Sequence, residues 1–119
     1  KMMPTFKNKI YKIEDFSSLV KEKKDRSENY DLAFSYSVYV QDENLKLGNE
    51  IYIGDSSDFD ELDQEIFPDY VIKNGLEYYC SDENIQDVID QAMTISSNFD
   101  DSELLERLVY YLEKDTFMN

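Results

Sequence analysis

From Ala33 to Val40 the chain alternates. Phe34, Tyr36, Val38 and Val40 fall on one face and Ser35, Ser37 and Tyr39 on the other, the period-two pattern of a half-buried strand. Glu50-Ile51-Tyr52-Ile53 reads as a second short strand, bounded by Gly48-Asn49 before it and Gly54-Asp55 after it, and a hairpin with the first strand is the simplest pairing. Leu76 to Cys80 is a third strand candidate.

Elsewhere the period is helical. Ile13, Phe16, Leu19 and Val20 make a stripe that predicts a helix from about Glu14 to Asp25 with its basic residues outside. Ile85, Val88, Ile89, Ala92 and Met93 make the clearest amphipathic helix, with Ser81 or Asp82 suited to its N-cap. Ser96-Ser97-Asn98 breaks it. Asp100 with Glu103 has capping-box spacing, and Leu104, Leu105, Leu108, Val109 and Leu112 then line a last helix ending near Asp115. Pro68 opens a short helix over Asp69 to Asn74, and Gly75 stands where a left-handed residue closes one. This order predicts one α+β domain, residues 1–119, with a small antiparallel sheet and helices packed on one face.

Between Gly54 and Pro68 lies the most acidic stretch, in which Leu62, Ile66 and Phe67 are expected to anchor a helical turn. The whole chain holds 27 Asp+Glu against 12 Lys+Arg, a net charge of -15, unevenly placed. Residues 1–26 hold eight basic and four acidic groups; residues 27–119 hold four basic and 23 acidic. Such a field repels nucleic acid and anionic membrane and attracts basic proteins. The 14% aromatic content argues against disorder, and 3 Gly with 2 Pro argue against a linker.

The chain has no histidine and one cysteine, Cys80. That removes Ser-His-Asp and Cys-His catalysis, an internal disulfide and the usual zinc sites. Cys80 reads as a small buried hydrophobe, and a lone reduced thiol suits the cytoplasm. No segment reaches the ~20 apolar residues needed to cross a membrane, and the N-terminus lacks the apolar stretch of a signal peptide. Lys1 before Met2 and Met3 is expected to be an extra residue ahead of the native start.

No metal loop fits the acidic stretch: a calcium loop beginning at Asp55 meets Phe59 at its fifth position and Asp60 where glycine is required, and one beginning at Asp58 meets Leu62 at its fifth. No phosphate-cradling glycine motif exists. Carboxylate pairs can be drawn almost anywhere among 27 acids and therefore carry no catalytic signal. The expectation is a chain with no catalytic residue, metal or cofactor. What remains for Asp55, Asp58, Asp60, Glu61, Asp63, Glu65 and Asp69 is a solvated acidic loop or a partner-binding one. Ten tyrosines add stiff contact area with a polar tip, and Tyr39 and Tyr52, on outward faces of their strands, join the acids as candidate partner-binding residues; outward tyrosines are also ordinary amphipathic surface.

The C-terminal run Asn84-Ile85-Gln86-Asp87-Val88-Ile89-Asp90-Gln91-Ala92, a polar break, Glu103-Leu104-Leu105-Glu106, the pair Tyr110-Tyr111 and a final Asp115-Thr116-Phe117 resembles a family of small acidic bacterial domains. That family includes immunity proteins of contact-dependent growth inhibition systems. The resemblance covers roughly the last 45 residues. It implies a cytoplasmic protein that binds and neutralises a cognate basic toxin domain, a nuclease of the tRNase or RNase type, by electrostatic and shape blockade. The alternative expectation is an acidic nucleic-acid mimic or adaptor domain that binds a basic cellular protein.

Overall fold

A computed structural model describes residues 5–29 and 31–118; Lys1, Met2 and Met3, on which the expected start rests, lie outside them. Four strands form one antiparallel sheet: β1 (Lys9–Lys12), β2 (Ser37–Val40), β3 (Glu50–Gly54) and β6 (Glu77–Ser81), in the order β1-β3-β2-β6. A separate two-stranded hairpin pairs β4 (Asp58–Phe59) with β5 (Glu65–Ile66). The helices are α1 (Ile13–Lys21), α2 (Asp69–Lys73), α3 (Asp82–Ile95) and α4 (Asp101–Lys114). The fold is α+β, as the periodicities predict.

β-branched residues one pleat apart build the main core. Val38, Val40, Ile51 and Ile53 point from β2 and β3 toward α1, α3 and α4, where they meet Ile13, Phe16, Val20, Ile85, Ile89 and Leu108. β2 pairs with β3 from Ser37↔Gly54 to Val40↔Ile51, the expected hairpin. Gly48 turns the connection at φ +86°, a conformation that favours glycine. β1, which the hydrophobic pattern does not announce, runs along the outer edge of β3, and Lys9 and Lys12 guard that edge against further pairing.

Ser81 and Asp100 cap α3 and α4 with complete capping boxes, to Asn84 and Glu103 respectively. α2 ends as expected, with Gly75 at φ +61°.

Three expectations change. The first helix stops at Lys21 instead of Asp25. Lys23 adopts φ +60°, its N–H bonds to Val20 O and the Lys24 N–H to Leu19 O, the six-residue closure that ends many helices. That turn carries Asp25 into the protein interior. The strand predicted from Ala33 starts only at Ser37, because Leu32–Phe34 forms a 3-10 turn in which the Asp31 carboxylate accepts from the Ala33 N–H. The acidic stretch holds a β-hairpin and no helical turn.

The expectation of helices on one face holds for α1, α3 and α4, but α2 covers part of the second face. Tyr39 and Tyr52 project there, as the alternation predicts, but α2 and its flanks bury them: Tyr39, Tyr52 and Val71 form a small second core with Phe67 and Leu76. Tyr52 stacks on Tyr70 with ring centres 4.3 Å apart. The Tyr52 ring also lies so close to Gly54 that a Cβ there would sit 2.6 Å from it. Among the described residues no helix is long and apolar enough to cross a membrane.

Candidate functional site

Tyr39 and Tyr52 are not surface contacts. Both are buried in the second core, and Tyr39 also holds the acidic hairpin in place. Phe67, just after β5, packs edge-on against Tyr39 at 6.3 Å, and the Tyr39 hydroxyl donates to the carbonyl of Asp55 at 2.7 Å. One buried ring therefore pins both legs of the segment 55–67. Burial raises the Tyr39 hydroxyl pKa above its ordinary value, so it remains a donor across the physiological range.

The acids of this segment divide into two groups. Asp55 belongs to the fold: Lys7, itself largely buried, reaches it at 2.6 Å while donating to Ser35 O at 2.9 Å. Asp60 belongs to the loop: its carboxylate accepts from the N–H of Leu62 at 2.8 Å and of Gln64 at 3.0 Å. That bracing lets Asp63 take φ +59° at the tip, a conformation aspartate tolerates better than most residues. Asp58, Glu61, Asp63, Glu65 and Asp69 are all solvent-exposed. Glu65 accepts from the Ser57 hydroxyl at 2.5 Å, and Asp69 sits in the first turn of α2.

Leu62 and Ile66, expected to anchor a helical turn, are instead exposed together with Phe59. Phe59 is 61% exposed, Leu62 78% and Ile66 48%. Phe59 faces outward on one side of the hairpin opposite Glu65, and Ile66 on the other opposite Asp58. The projection is thus an acidic finger with exposed apolar side chains on both faces and in its loop, based on Tyr39 and Phe67. Tyr78, 50% exposed, borders the same region beside Glu65 and Phe67.

A second acidic feature adjoins it. A cleft of about 380 Å³ opens between the α1–β2 connection and the first half of α3. Asp25 and Glu28 line it from one side and Asp82, Glu83, Asp87 and Asp90 from the other; Arg26 is the only cation among the described lining residues. The cleft and the hairpin share one end of the sheet, where Ser37 pairs with both Gly54 and Ser81.

The cleft floor is unusual. Asp25 is 1% exposed and Gln86 4%. Asp25 Oδ2 accepts from the Tyr36 hydroxyl at 2.7 Å, whereas its Oδ1 has no hydrogen bond, only Arg26 Nε at 3.5 Å. Gln86 Nε2 donates to Asp90 at 2.8 Å, which leaves Gln86 Oε1 buried without a partner. Buried acceptors without donors are uncommon in folded proteins.

No group of His, Cys, Asp or Glu among the described residues is arranged to hold a metal ion. Cys80 is buried against Val38 in the main core, and burial pushes its thiol pKa far up, so it is inert toward thiolate chemistry. The arrangement offers donor-seeking, negatively charged surfaces with exposed apolar contacts, suited to binding.

Neither a curated protein nor a solved structure matches the chain. Residues 18–119 match a family described as a domain of unknown function, DUF7716, and the chain belongs to that family.

Proposed function

We propose that this domain is an inhibitory binding protein of the immunity type. It would act in the cytoplasm on a basic nuclease toxin domain of a contact-dependent growth inhibition system, blocking the toxin's phosphate-binding surface without catalysis. The observation that carries the reading is the finger: Phe59, Leu62 and Ile66 are exposed among carboxylates on a braced hairpin. A segment kept only for solubility has no use for three exposed apolar side chains, whereas an interface needs apolar anchors inside a charged rim. The segment from Asp55 to Asp69 contains no lysine or arginine, so the rim is of one sign and complements a phosphate-binding cleft.

The test is survival of cells that express the toxin domain encoded beside this gene. Co-expression of the wild-type chain should protect. A variant with Phe59→Ser and Leu62→Ser should fold but lose protection, because two apolar anchors together contribute about 3–5 kcal/mol when buried in an interface. Failure of the wild-type chain to protect, or full protection by the double variant, contradicts the reading. A chain that instead captures a basic protein from toxin-free cytoplasm would be a mimic or adaptor acting on a cellular target.

A further inference from the structure

We infer that the cleft between the α1–β2 connection and α3 is a receptor for a guanidinium group, an arginine side chain that the basic partner inserts onto Asp25 and Gln86. This deepens the reading above and rests on it for the source of the arginine. Acidity alone would not assign a ligand here. The second observation does: Gln86 is 4% exposed and its Oε1 is an acceptor with no donor, and Asp25 Oδ1, in the lining of the same cleft, also lacks a hydrogen bond. Both open valences are acceptors, so the missing group is a donor, and the surrounding carboxylates, of which Asp90 is already paired with Lys23 at 3.3 Å, favour a cationic one.

A guanidinium fits better than an ammonium. Its planar fork of five N–H groups can serve two acceptors from different elements at once, and it is less strongly hydrated and so loses less on burial. Phe34 lines the same cleft and supplies an aromatic surface of the kind on which guanidinium groups stack. The chain's own Arg26 already shows the preference: its Nε lies 3.5 Å from Asp25 Oδ1, too long for a hydrogen bond, and its side chain is 39% exposed. Arg26 is therefore a weak internal occupant beside Asp25. An incoming arginine displaces it and makes the hydrogen bonds to Asp25 Oδ1 and Gln86 Oε1 that Arg26 does not.

The test is an NMR titration of the full chain with three probes: a blocked Gly-Arg-Gly peptide, a blocked Gly-Lys-Gly peptide and free arginine. The arginine peptide should shift the resonances of Asp25, Asp82, Gln86 and Asp87 and bind more tightly than the lysine peptide. Gln86→Leu should weaken it by roughly tenfold, the effect of one lost hydrogen bond to a charged donor. Arg26→Gln should tighten it, and Lys24→Gln, which removes the same charge outside the cleft, should do so less. Equal binding of arginine and lysine peptides, shifts spread evenly over the acidic surface, or no response to Gln86→Leu would overturn the proposal. Free arginine binding more tightly than the peptide would overturn the protein source, since its own carboxylate should be repelled. These outcomes are independent of cell survival, which tests the finger.

Discussion

Replacing Tyr36 with phenylalanine removes one oxygen and isolates one buried carboxylate. The ring itself should stay, because Phe6 and Phe16 hold it edge-on at 5.5 and 5.4 Å. What is lost is the 2.7 Å bond to Asp25 Oδ2. Asp25 is 1% exposed, so water does not replace the hydroxyl, and Arg26 at 3.5 Å is its remaining polar neighbour. A hydrogen bond to a charged group contributes about 1.5–3 kcal/mol, and leaving the acceptor buried keeps the loss near the upper end, about 2–3 kcal/mol. For a domain of this size that lowers Tm by roughly 10 °C. Urea unfolding followed by circular dichroism measures it directly. The pair Tyr36→Phe with Asp25→Leu should recover at least half of the loss, since replacing both partners by apolar groups leaves nothing unsatisfied. A loss below about 0.5 kcal/mol for Tyr36→Phe alone, or additive losses in the pair, would refute the claim that this bond satisfies a buried charge.

Asp60→Ala removes the acceptor for two loop N–H groups and should raise amide exchange across residues 58–66 while changing global stability by less than about 1 kcal/mol; a global collapse would show that the finger is part of the core. Cys80 should react with a thiol reagent only at the rate of unfolding, since burial raises its pKa and blocks access; rapid labelling of the native chain would contradict its place in the core. Glu14 and Glu77 should titrate on opposite sides of the ordinary glutamate value of 4.5. The Gly48 N–H bond lowers Glu14, so its contribution is present above 4.5 and is lost as pH falls through the folded value. The interaction with Glu43 raises Glu77, so its penalty is present at neutral pH and is relieved as pH falls through its raised value. Side-chain carbon NMR reads both, and shifts of the same sign would contradict the assignment.

α3 and α4 are legible in the sequence to within a residue or two because stripe and cap agree: Ser81 and Asp100 each stand in front of an apolar face of period 3.6. β2 and β3 are legible from alternation. Alternation tells which side a residue takes, but not whether that side is covered. Tyr39 and Tyr52 take the side expected and are buried there by α2, five residues long, whose sequence gives no sign of what it packs against. Asp25 sits within Lys23-Lys24-Asp25-Arg26, a run that reads as solvated; the left-handed turn at Lys23 puts it inside, and no residue type announces that turn. The hairpin strands are two residues each, shorter than any periodicity can register. Charge singled out the segment from Asp55 to Asp69; the exposed Phe59, Leu62 and Ile66 emerge only once Leu62 and Ile66 are seen to leave the core.

Stopped-flow association with the basic nuclease domain proposed as partner tests the central claim most directly. With the wild-type chain the association rate should fall at least about tenfold as ionic strength rises from low to physiological, and charge removal at Asp58, Glu61, Asp63 and Glu65 should weaken that dependence. No complex with that domain, or a rate indifferent to salt, would contradict the claim that a negative, apolar-tipped surface captures a basic protein.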